Sequence, residues 1–253
     1  MADGQESGHW YDTDGNSQYT IVGANGKTRN TTLRDARKNG FVPSVTTVLN
    51  IAAKPALENW KIKQAINSAL KLHQNEDESL HQFIQRCKKD SQKVTEEAAE
   101  AGTFIHSMIE DGFTGKNESG VYKRVREFLD EKFPDETWLA EESFYSELGY
   151  GGKIDLYSKS GIFVDFKTKD NLEGKDPETL AYDNYGMQLS AYAQGCGYVK
   201  DVERVSIFVD RGDTRVVLGH VWDKETHTRH MEMFNNLLQY WILVKNYNPT
   251  KTA

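Results

Sequence analysis

The chain has 253 residues, 38% of them hydrophobic and 27% charged, a composition ordinary for a globular protein with a sizeable core. The formal net charge of -7 argues against a protein that coats nucleic acid by bulk electrostatics, although it does not exclude an enzyme acting on nucleic acid. The longest apolar runs are too short to span a bilayer, and the polar N-terminus lacks the apolar core of a signal peptide. A cytoplasmic location without membrane association is therefore expected.

Few residues fit the common metal and nucleotide motifs. The two cysteines, Cys87 and Cys196, are too few for an iron–sulfur cluster held by four cysteines or for a zinc ribbon. His227 and His230 have the i,i+3 spacing of metal ligands, but no cysteine or carboxylate partner lies at matching spacing, so solvent-exposed or capping roles are expected. The chain has no GxxxxGK[ST] loop, and no nucleotide cofactor is expected.

The predicted elements begin with a polar segment. Residues 1–30 are rich in Gly, Asn, Asp and Thr, which predicts a loop or small hairpin with a short strand at 19–22. Ser44, which follows Pro43, has the residue type and position of a helix N-cap. Apolar residues at three- and four-residue spacing then predict a mostly helical stretch from 44 to 115.

From residue 138 the apolar period changes to that of strands, and Gly-bearing turns separate three predicted strands up to residue 170. The other predicted elements are helices at 91–111, 120–132, 178–197 and 224–245, and strands at 204–210 and 214–222. This order predicts an α/β fold. The expected organisation is a loop or hairpin segment at 1–40 and a single domain at 41–253, with 44–135 mostly helical and 136–253 holding the sheet and the C-terminal helix.

The predicted hairpin at 151–170 places charged side chains among apolar ones. Side chains alternate along a strand, and a three-residue loop at 159–161, with glycine last, would set Asp155 across from Asp165 on the same side of the sheet. Like charges placed in this way repel unless a cation neutralises them, and magnesium and manganese prefer such oxygens. Lys167 shares the face of Asp165, which predicts a lysine beside a metal site. The alternative is an amphipathic hairpin with one solvated face.

Two helical segments carry further candidates. In EEAAEAGTFIHSMIE, His106 and Glu110 are four residues apart and project from one helix face. In YGMQLSAYA, Gln188 and Tyr192 have the same spacing, and their amide and hydroxyl groups can hold a phosphate or a base without adding charge. On spacing alone, an ordinary packed or surface helix is the favoured alternative for both segments.

Taken in order, GTFIHSMIE, AEESFYS, GGKID, VDFKTKD and QLSAY resemble the motifs of the PD-(D/E)xK nuclease superfamily, in particular its RecB-type exonuclease branch, over residues 40–210. The upstream segments PSVTTVL and KPALENWK are similar to segments of phage-encoded members. The resemblance implies a restriction-endonuclease-like core, with a mixed central sheet flanked by helices and a helical N-terminal portion. It also implies one or two Mg²⁺ or Mn²⁺ ions. Many relatives carry an iron–sulfur cluster, which this chain lacks the cysteines to hold.

The resemblance assigns roles by position. Asp155, Asp165 and Lys167 would form the catalytic set. The metal ligands would be His106, Asp155, Asp165, the Phe166 carbonyl, Glu142 (or its neighbour Glu141) and Glu110. The substrate would be contacted by Gln188, Tyr192, Thr168 and Lys153. Because a histidine stands in place of a carboxylate in this ligand set, manganese is expected to support activity better than magnesium.

The expected function is hydrolysis of phosphodiester bonds from DNA ends, in phage or bacterial DNA recombination, repair or degradation. The expected location is the cytoplasm of a bacterial or phage-infected cell, and a single-strand annealing or recombination protein is a candidate partner. Two alternatives stay open: a non-catalytic module of the same fold that binds DNA ends or a recombination partner, and an RNA- or structure-specific endonuclease. The catalytic set favours an enzyme, because a binding module does not need a carboxylate pair directed at a polyanion.

Overall fold

The computed structural model describes residues 8–250, so residues 1–7 of the predicted N-terminal segment and 251–253 of the predicted domain lie outside the described part. The described chain divides into two compact units. One consists of residues 8–52 and 108–250 and contains helices and strands; the other, Ala53–Ser107, is helical. Between residues 8 and 250, none of the helices combines the length and the apolar character that crossing a bilayer requires.

The strands, in chain order, are β1 (Trp10–Tyr11), β2 (Thr20–Val22), β3 (Thr28–Asn30), β4 (Val42–Pro43), β5 (Trp138–Ser146), β6 (Tyr150–Ser158), β7 (Ile162–Lys169), β8 (Glu203–Asp210) and β9 (Val217–Val221). The helices are α1 (Leu33–Asn39), α2 (Val45–Leu49), α3 (Pro55–Leu72), α4 (Leu80–Phe113), α5 (Gly120–Lys132), α6 (Asp183–Gly195) and α7 (Thr226–Lys245). A short 3-10 helix spans Pro177–Leu180.

A five-stranded mixed sheet, in the order β5-β6-β7-β8-β9, forms the centre of the larger unit. Only the β7–β8 pair is parallel, and helix α6 lies in the crossover that a parallel pair requires. Strands β7 and β8 are largely buried, in keeping with their near-continuous apolar runs. The mixed α/β arrangement predicted from the sequence is confirmed.

Helix α6 is buried along most of its length and packs against the sheet and against α7. Helix α7 contributes one apolar face, with Phe234, Leu238 and Trp241 each at most 2% exposed. Burying a side chain of this size stabilises the fold by about 1.5–3 kcal/mol. A Cβ added at Gly186 would lie 2.4 Å from the His230 ring, so the approach of α7 to α6 depends on glycine there.

The helical unit contains α3 and the first part of α4. Pro55 opens α3 at a position where its missing N–H would have had no helical partner. The loop between the helices is held by Arg86, which forms an ion pair with Glu78 at 2.7 Å and donates to the His73 carbonyl at 2.7 Å. Helix α4 starts at Leu80, eleven residues before the strongest helical pattern at 91–111.

Residues 8–43 contain more structure than their polar sequence predicts. The hairpin of β2 and β3 agrees with the expected small hairpin, but helix α1 and the pairing of β1 with β4 were not predicted. Trp10 and Tyr11, both 2% exposed, belong to the core. Ser44 is the predicted N-cap, and its hydroxyl accepts from the Thr47 N–H at 3.0 Å.

The expectation that His227 and His230 are exposed or capping is wrong, since they are 5% and 0% exposed. The buried guanidinium of Arg204 donates to Nδ1 of His230 at 2.8 Å and to Oγ of Ser190 at 3.0 Å. Nδ1 of His227 lies 3.1 Å from the same Ser190 hydroxyl. The physical reason is that a buried guanidinium requires acceptors, and the start of α7 supplies them.

Candidate active site

The hairpin of β6 and β7 sets the geometry of the candidate site. The strands pair with Ser158 opposite Ile162 and Leu156 opposite Val164, which leaves the predicted three-residue loop between them. Gly161 has φ of 99°, and its N–H donates to the Ser158 carbonyl at 3.0 Å. Glycine adopts this conformation without the steric cost of a side chain. The predicted loop is confirmed, and the pairing follows the predicted register as far as Leu156 and Val164.

The backbone pairing stops where the acidic residues lie. One more step of the register would set Asp155 opposite Asp165, but the paired residues end at Leu156 and Val164. There the Phe166 N–H donates to Oδ2 of Asp155 at 2.8 Å instead of to a carbonyl of β6. The Asp155 carboxylate thus takes the place of a backbone acceptor, as a buried N–H requires. This contact ties Asp155 to the strand that carries Asp165.

Asp165 is 1% exposed and is surrounded by donors. Its Oδ1 accepts from Nε2 of Gln188 at 2.8 Å, and its Oδ2 forms an ion pair with the Lys167 ammonium. The Gln188 amide also donates to the Tyr192 hydroxyl oxygen at 2.9 Å. Burying a carboxylate is unfavourable unless other contacts compensate for the lost water. Gln188 supplies a hydrogen bond, and Lys167 supplies the opposite charge of an ion pair.

Asp155 and Asp165 both raise the pKa of the same buried hydroxyl, that of Tyr192. Tyr192 is 4% exposed, and its pKa lies well above the ordinary value, first because of burial and then because of the negative charges of Asp165 and Asp155. The strand register, continued one step from Leu156 and Val164, sets Asp155 and Asp165 on the same side of the sheet. Gln188 and Tyr192, predicted as DNA contacts, are both buried and direct their polar ends to Asp165 and to each other.

The carboxylate pair fits a hard divalent cation. Asp155 and Asp165 offer the oxygen ligands that Mg²⁺ and Mn²⁺ prefer, and the ion pair with Lys167 shows that a cation is stable beside Asp165. Among residues 8–250, no three or more His, Cys, Asp or Glu side chains gather into a complete metal site. Magnesium keeps several waters and commonly takes only one or two protein carboxylates. Two carboxylates are therefore a sufficient protein contribution.

Strand β5 places two more acidic residues near the hairpin. Glu142 is exposed and lies opposite Ile154 in the register, whereas Glu141 has φ of 60° and interrupts the pairing. The Glu141 carboxylate forms an ion pair with the ammonium of Lys153, which was predicted to contact DNA. A metal-supporting role for Glu142 stays a prediction.

Helix α4 carries His106 and Glu110, and the boundary between the two units passes between them. The Glu110 carboxylate lies 4.0 Å from the Lys116 ammonium. Phe166 is 3% exposed, and Thr168, by strand alternation, lies on the face of β7 opposite to Lys167. The metal roles of His106, Glu110 and the Phe166 carbonyl, and the DNA contact of Thr168, stay predictions.

Sequence reasoning missed Lys169, which lies two residues beyond Lys167 and on the same face of β7. Its ammonium donates to the Tyr185 hydroxyl at 3.0 Å, and Tyr185 lies three residues before Gln188 on α6. The alternating pattern Asp-x-Lys-x-Lys in VDFKTK is the signal that could have identified it.

No family model matches the chain, and no curated protein matches it either. Among solved structures, a candidate exonuclease from Eubacterium rectale is 14% identical, with a TM-score of 0.39, over 58% of this chain and 68% of that chain. An alkaline exonuclease from Laribacter hongkongensis, LHK-Exo, is 11% identical, with a TM-score of 0.35, over 75% of this chain and 95% of that chain. Similarity at this level does not assign the chain to a family.

Proposed function

We propose that the chain is a divalent-metal-dependent DNA nuclease of the PD-(D/E)xK type, close to the RecB-type exonucleases, which hydrolyses phosphodiester bonds from DNA ends. The observation that supports this most is the strand register that sets Asp155 and Asp165 on one side of the sheet, with the Lys167 ammonium in an ion pair with Asp165. A module that only bound DNA would be weakened by two carboxylates facing a polyanion.

Each side chain has a distinct task in this proposal. Asp155 and Asp165 would hold Mg²⁺ or Mn²⁺, which supplies an activated water and polarises the phosphoryl group. Lys167, whose ammonium forms an ion pair with Asp165, would stabilise the negative charge that develops on the phosphate oxygens. Gln188, braced by Tyr192, keeps the Asp165 carboxylate oriented. A recombination or single-strand annealing protein is the proposed partner.

The test is hydrolysis of end-labelled DNA by the purified protein. Linear duplexes and single strands, labelled at either terminus, are incubated with Mn²⁺, with Mg²⁺ or with EDTA, alongside closed circular DNA and RNA. We expect label to be released from linear DNA with either metal, at lower concentrations of Mn²⁺ than of Mg²⁺. We expect no release in EDTA, intact circles and intact RNA. Cleavage of circles or RNA would instead favour an endonuclease or a ribonuclease.

A substitution separates catalysis from binding. Asp165→Asn keeps the shape of the side chain but removes its charge, so we expect the rate of hydrolysis to fall by about 10²–10³-fold or more. DNA binding in EDTA should be kept. The matched control is Asp130→Asn on α5, which also removes an aspartate from an ion pair, here with Arg126, but lies outside the site. Hydrolysis at the wild-type rate by Asp165→Asn, or DNA left intact by the wild type with Mn²⁺, would refute the proposal.

A further inference from the structure

One face of β7 carries a row of charged side chains. Asp165, Lys167 and Lys169 alternate along the strand and are therefore spaced about 6.6 Å apart on the side that faces α6. The row begins at the carboxylate pair and ends at Lys169, the last residue of the strand. The catalytic roles proposed above involve Asp165 and Lys167 but not Lys169.

Two tyrosines frame the Lys169 ammonium. It donates to the Tyr185 hydroxyl at 3.0 Å and lies 4.8 Å from the ring centroid of Tyr182 and 5.2 Å from that of Tyr185. The Lys167 ammonium lies 5.2 Å from the same Tyr185 ring. The Tyr185 ring therefore contacts both ammonium groups, at distances where cation–π attraction operates.

The charges around Lys169 are mainly positive. In the described part of the chain, the nearby carboxylates pair with other cations: Asp165 with Lys167, and Asp170 with Arg211. Burial, followed by the positive charges of Lys167, Arg211 and Lys175, lowers the pKa of Lys169 to about 8. A half-buried ammonium among other cations is stabilised when an anion binds next to it.

We propose that Lys169 binds the DNA backbone phosphate adjacent to the one that is hydrolysed, with the Tyr182 ring packing against the same nucleotide. Lys167 and Lys169 lie in a row, so they can contact successive phosphates of a nucleic-acid backbone, which a single small anion does not offer. Tyr182 is 39% exposed and so offers a stacking surface at the end of the row. This inference rests on the proposed nuclease function and adds a substrate contact that the metal site does not supply.

The salt dependence of DNA binding tests the phosphate contact directly. Binding of a fluorescent oligonucleotide is measured by anisotropy in EDTA, over a series of salt concentrations, for the wild type and Lys169→Met. Loss of one phosphate contact should reduce the slope of log K against log salt by about 0.7 for a single strand or about 0.9 for a duplex. At 0.1 M salt this corresponds to binding weaker by about five- to eight-fold.

Two further variants identify the cause of such a change. Lys159→Met removes the same charge from an exposed residue in the hairpin loop at the opposite end of β7, and its slope should equal that of the wild type. Lys169→Arg keeps the charge and should restore most of the slope. In hydrolysis assays with Mn²⁺, Lys169→Met should raise KM with little change in kcat, whereas Lys167→Met should lower kcat.

An unchanged slope and affinity in Lys169→Met would overturn the inference, and so would an equal loss in Lys159→Met. If Lys169→Met does not fold, as judged by thermal unfolding, Lys169→Gln provides the same comparison.

Failure of this inference can be distinguished from failure of the proposed nuclease function. A wild type that binds DNA but hydrolyses none with Mn²⁺ would refute the catalytic proposal, while the slopes would still decide the role of Lys169. A wild type that binds no DNA in the assay would refute both.

Discussion

A carboxylate that is 1% exposed, as that of Asp165 is, keeps its charge only when donors replace the water it has lost. Gln188, on α6, donates a hydrogen bond, and Lys167, at the neighbouring position on the same strand face, supplies the positive charge of an ion pair. Alternation along β7 was sufficient to predict that Lys167 lies beside Asp165. The i,i+4 spacing of Gln188 and Tyr192 showed that they share a helix face, but it could not show that this face is buried against Asp165.

Substitutions of Gln188 test this dependence. Gln188→Leu leaves Oδ1 of Asp165 without its donor, which should reduce the free energy of unfolding by about 1–3 kcal/mol. Gln188→Glu has nearly the same shape but places a second carboxylate where Nε2 lies 2.8 Å from Asp165, so it should be more destabilising at pH 7. Urea unfolding at pH 7 measures the stability of both variants.

The control for this pair is Gln85→Leu, at an exposed position on α4, which should change stability by less than about 0.5 kcal/mol. A Gln188→Glu variant as stable as the wild type at pH 7 would show that Asp165 does not carry its charge in the folded protein.

At the scale of elements, the sequence predicted the strands of the hairpin and the longer helices because each has a sustained apolar period. Helix α1 was missed because LRDARKN has only two apolar residues in seven. Its signals were at its ends, where Thr32 and Asp35 form a capping box and Gly40 ends the helix with φ of 72°. A short helix without an apolar period can be predicted only from the capping residues at its two ends.

The contact between α5 and β9 depends on one glycine. A Cβ added at Gly219 would lie 2.0 Å from the Phe128 ring, so Gly219→Ala should force the helix and the sheet apart and cost about 1–3 kcal/mol. Phe128→Ala removes the clash. The double variant should therefore be more stable than the sum of the two single effects predicts, by about 0.5–3 kcal/mol.

Denaturant unfolding of the three variants measures this coupling. Gly120→Ala is the control, because an added Cβ there meets no atom within 4 Å and the residue lies at the start of α5. Strict additivity of Gly219→Ala and Phe128→Ala would contradict the proposed contact.

At the scale of the whole molecule, stability should depend on the buried histidines of α7. Arg204 donates to Nδ1 of His230, and Asp183 lies 3.0 Å from Nε2, so the neutral ring fits between a donor and an acceptor. Burial, followed by the positive charge of Arg204, lowers the pKa of His227 to about 4. Burial also lowers the pKa of His230, partly opposed by Asp183 and reinforced by Arg204 and Arg229.

The sign of the pH effect follows from these directions. Below about pH 6.5 the unfolded chain binds protons that the folded chain does not, so stability is fully present above that value and is lost as the pH falls. For His227 the loss between pH 7 and pH 5 should be about 2 kcal/mol, since one pKa unit is worth about 1.4 kcal/mol. Urea unfolding at pH 7 and pH 5 should show this loss of stability in the wild type and a smaller loss in His227→Gln.

His81→Gln, at an exposed position on α4, is the control and should keep the wild-type pH dependence. Stability that is equal at pH 5 and pH 7 in the wild type would contradict this account of the network. The network itself was not predictable from the sequence, because its members lie on β8, α6 and α7 and only the fold brings them together.

The division into two compact units also depends on contacts between residues that are distant in the sequence. Helical periodicity predicted that residues 44–115 are mostly helical, and α2, α3 and α4 lie there. Periodicity cannot show which helices pack together, so the partition at Ala53–Ser107 follows from the structure alone. The candidate site was more predictable, because the residues that define it lie within one hairpin.

Mn²⁺ binding measured by electron paramagnetic resonance tests most directly whether Asp155 and Asp165 share a cation. Mn²⁺ is titrated into the wild type, Asp155→Asn, Asp165→Asn and the control Asp130→Asn, and the free ion is quantified. We expect one or two bound ions in the wild type and the control, and a loss of affinity in both site variants. A wild type that binds no Mn²⁺, or site variants that bind it as tightly as the wild type, would show that the two carboxylates do not share a cation.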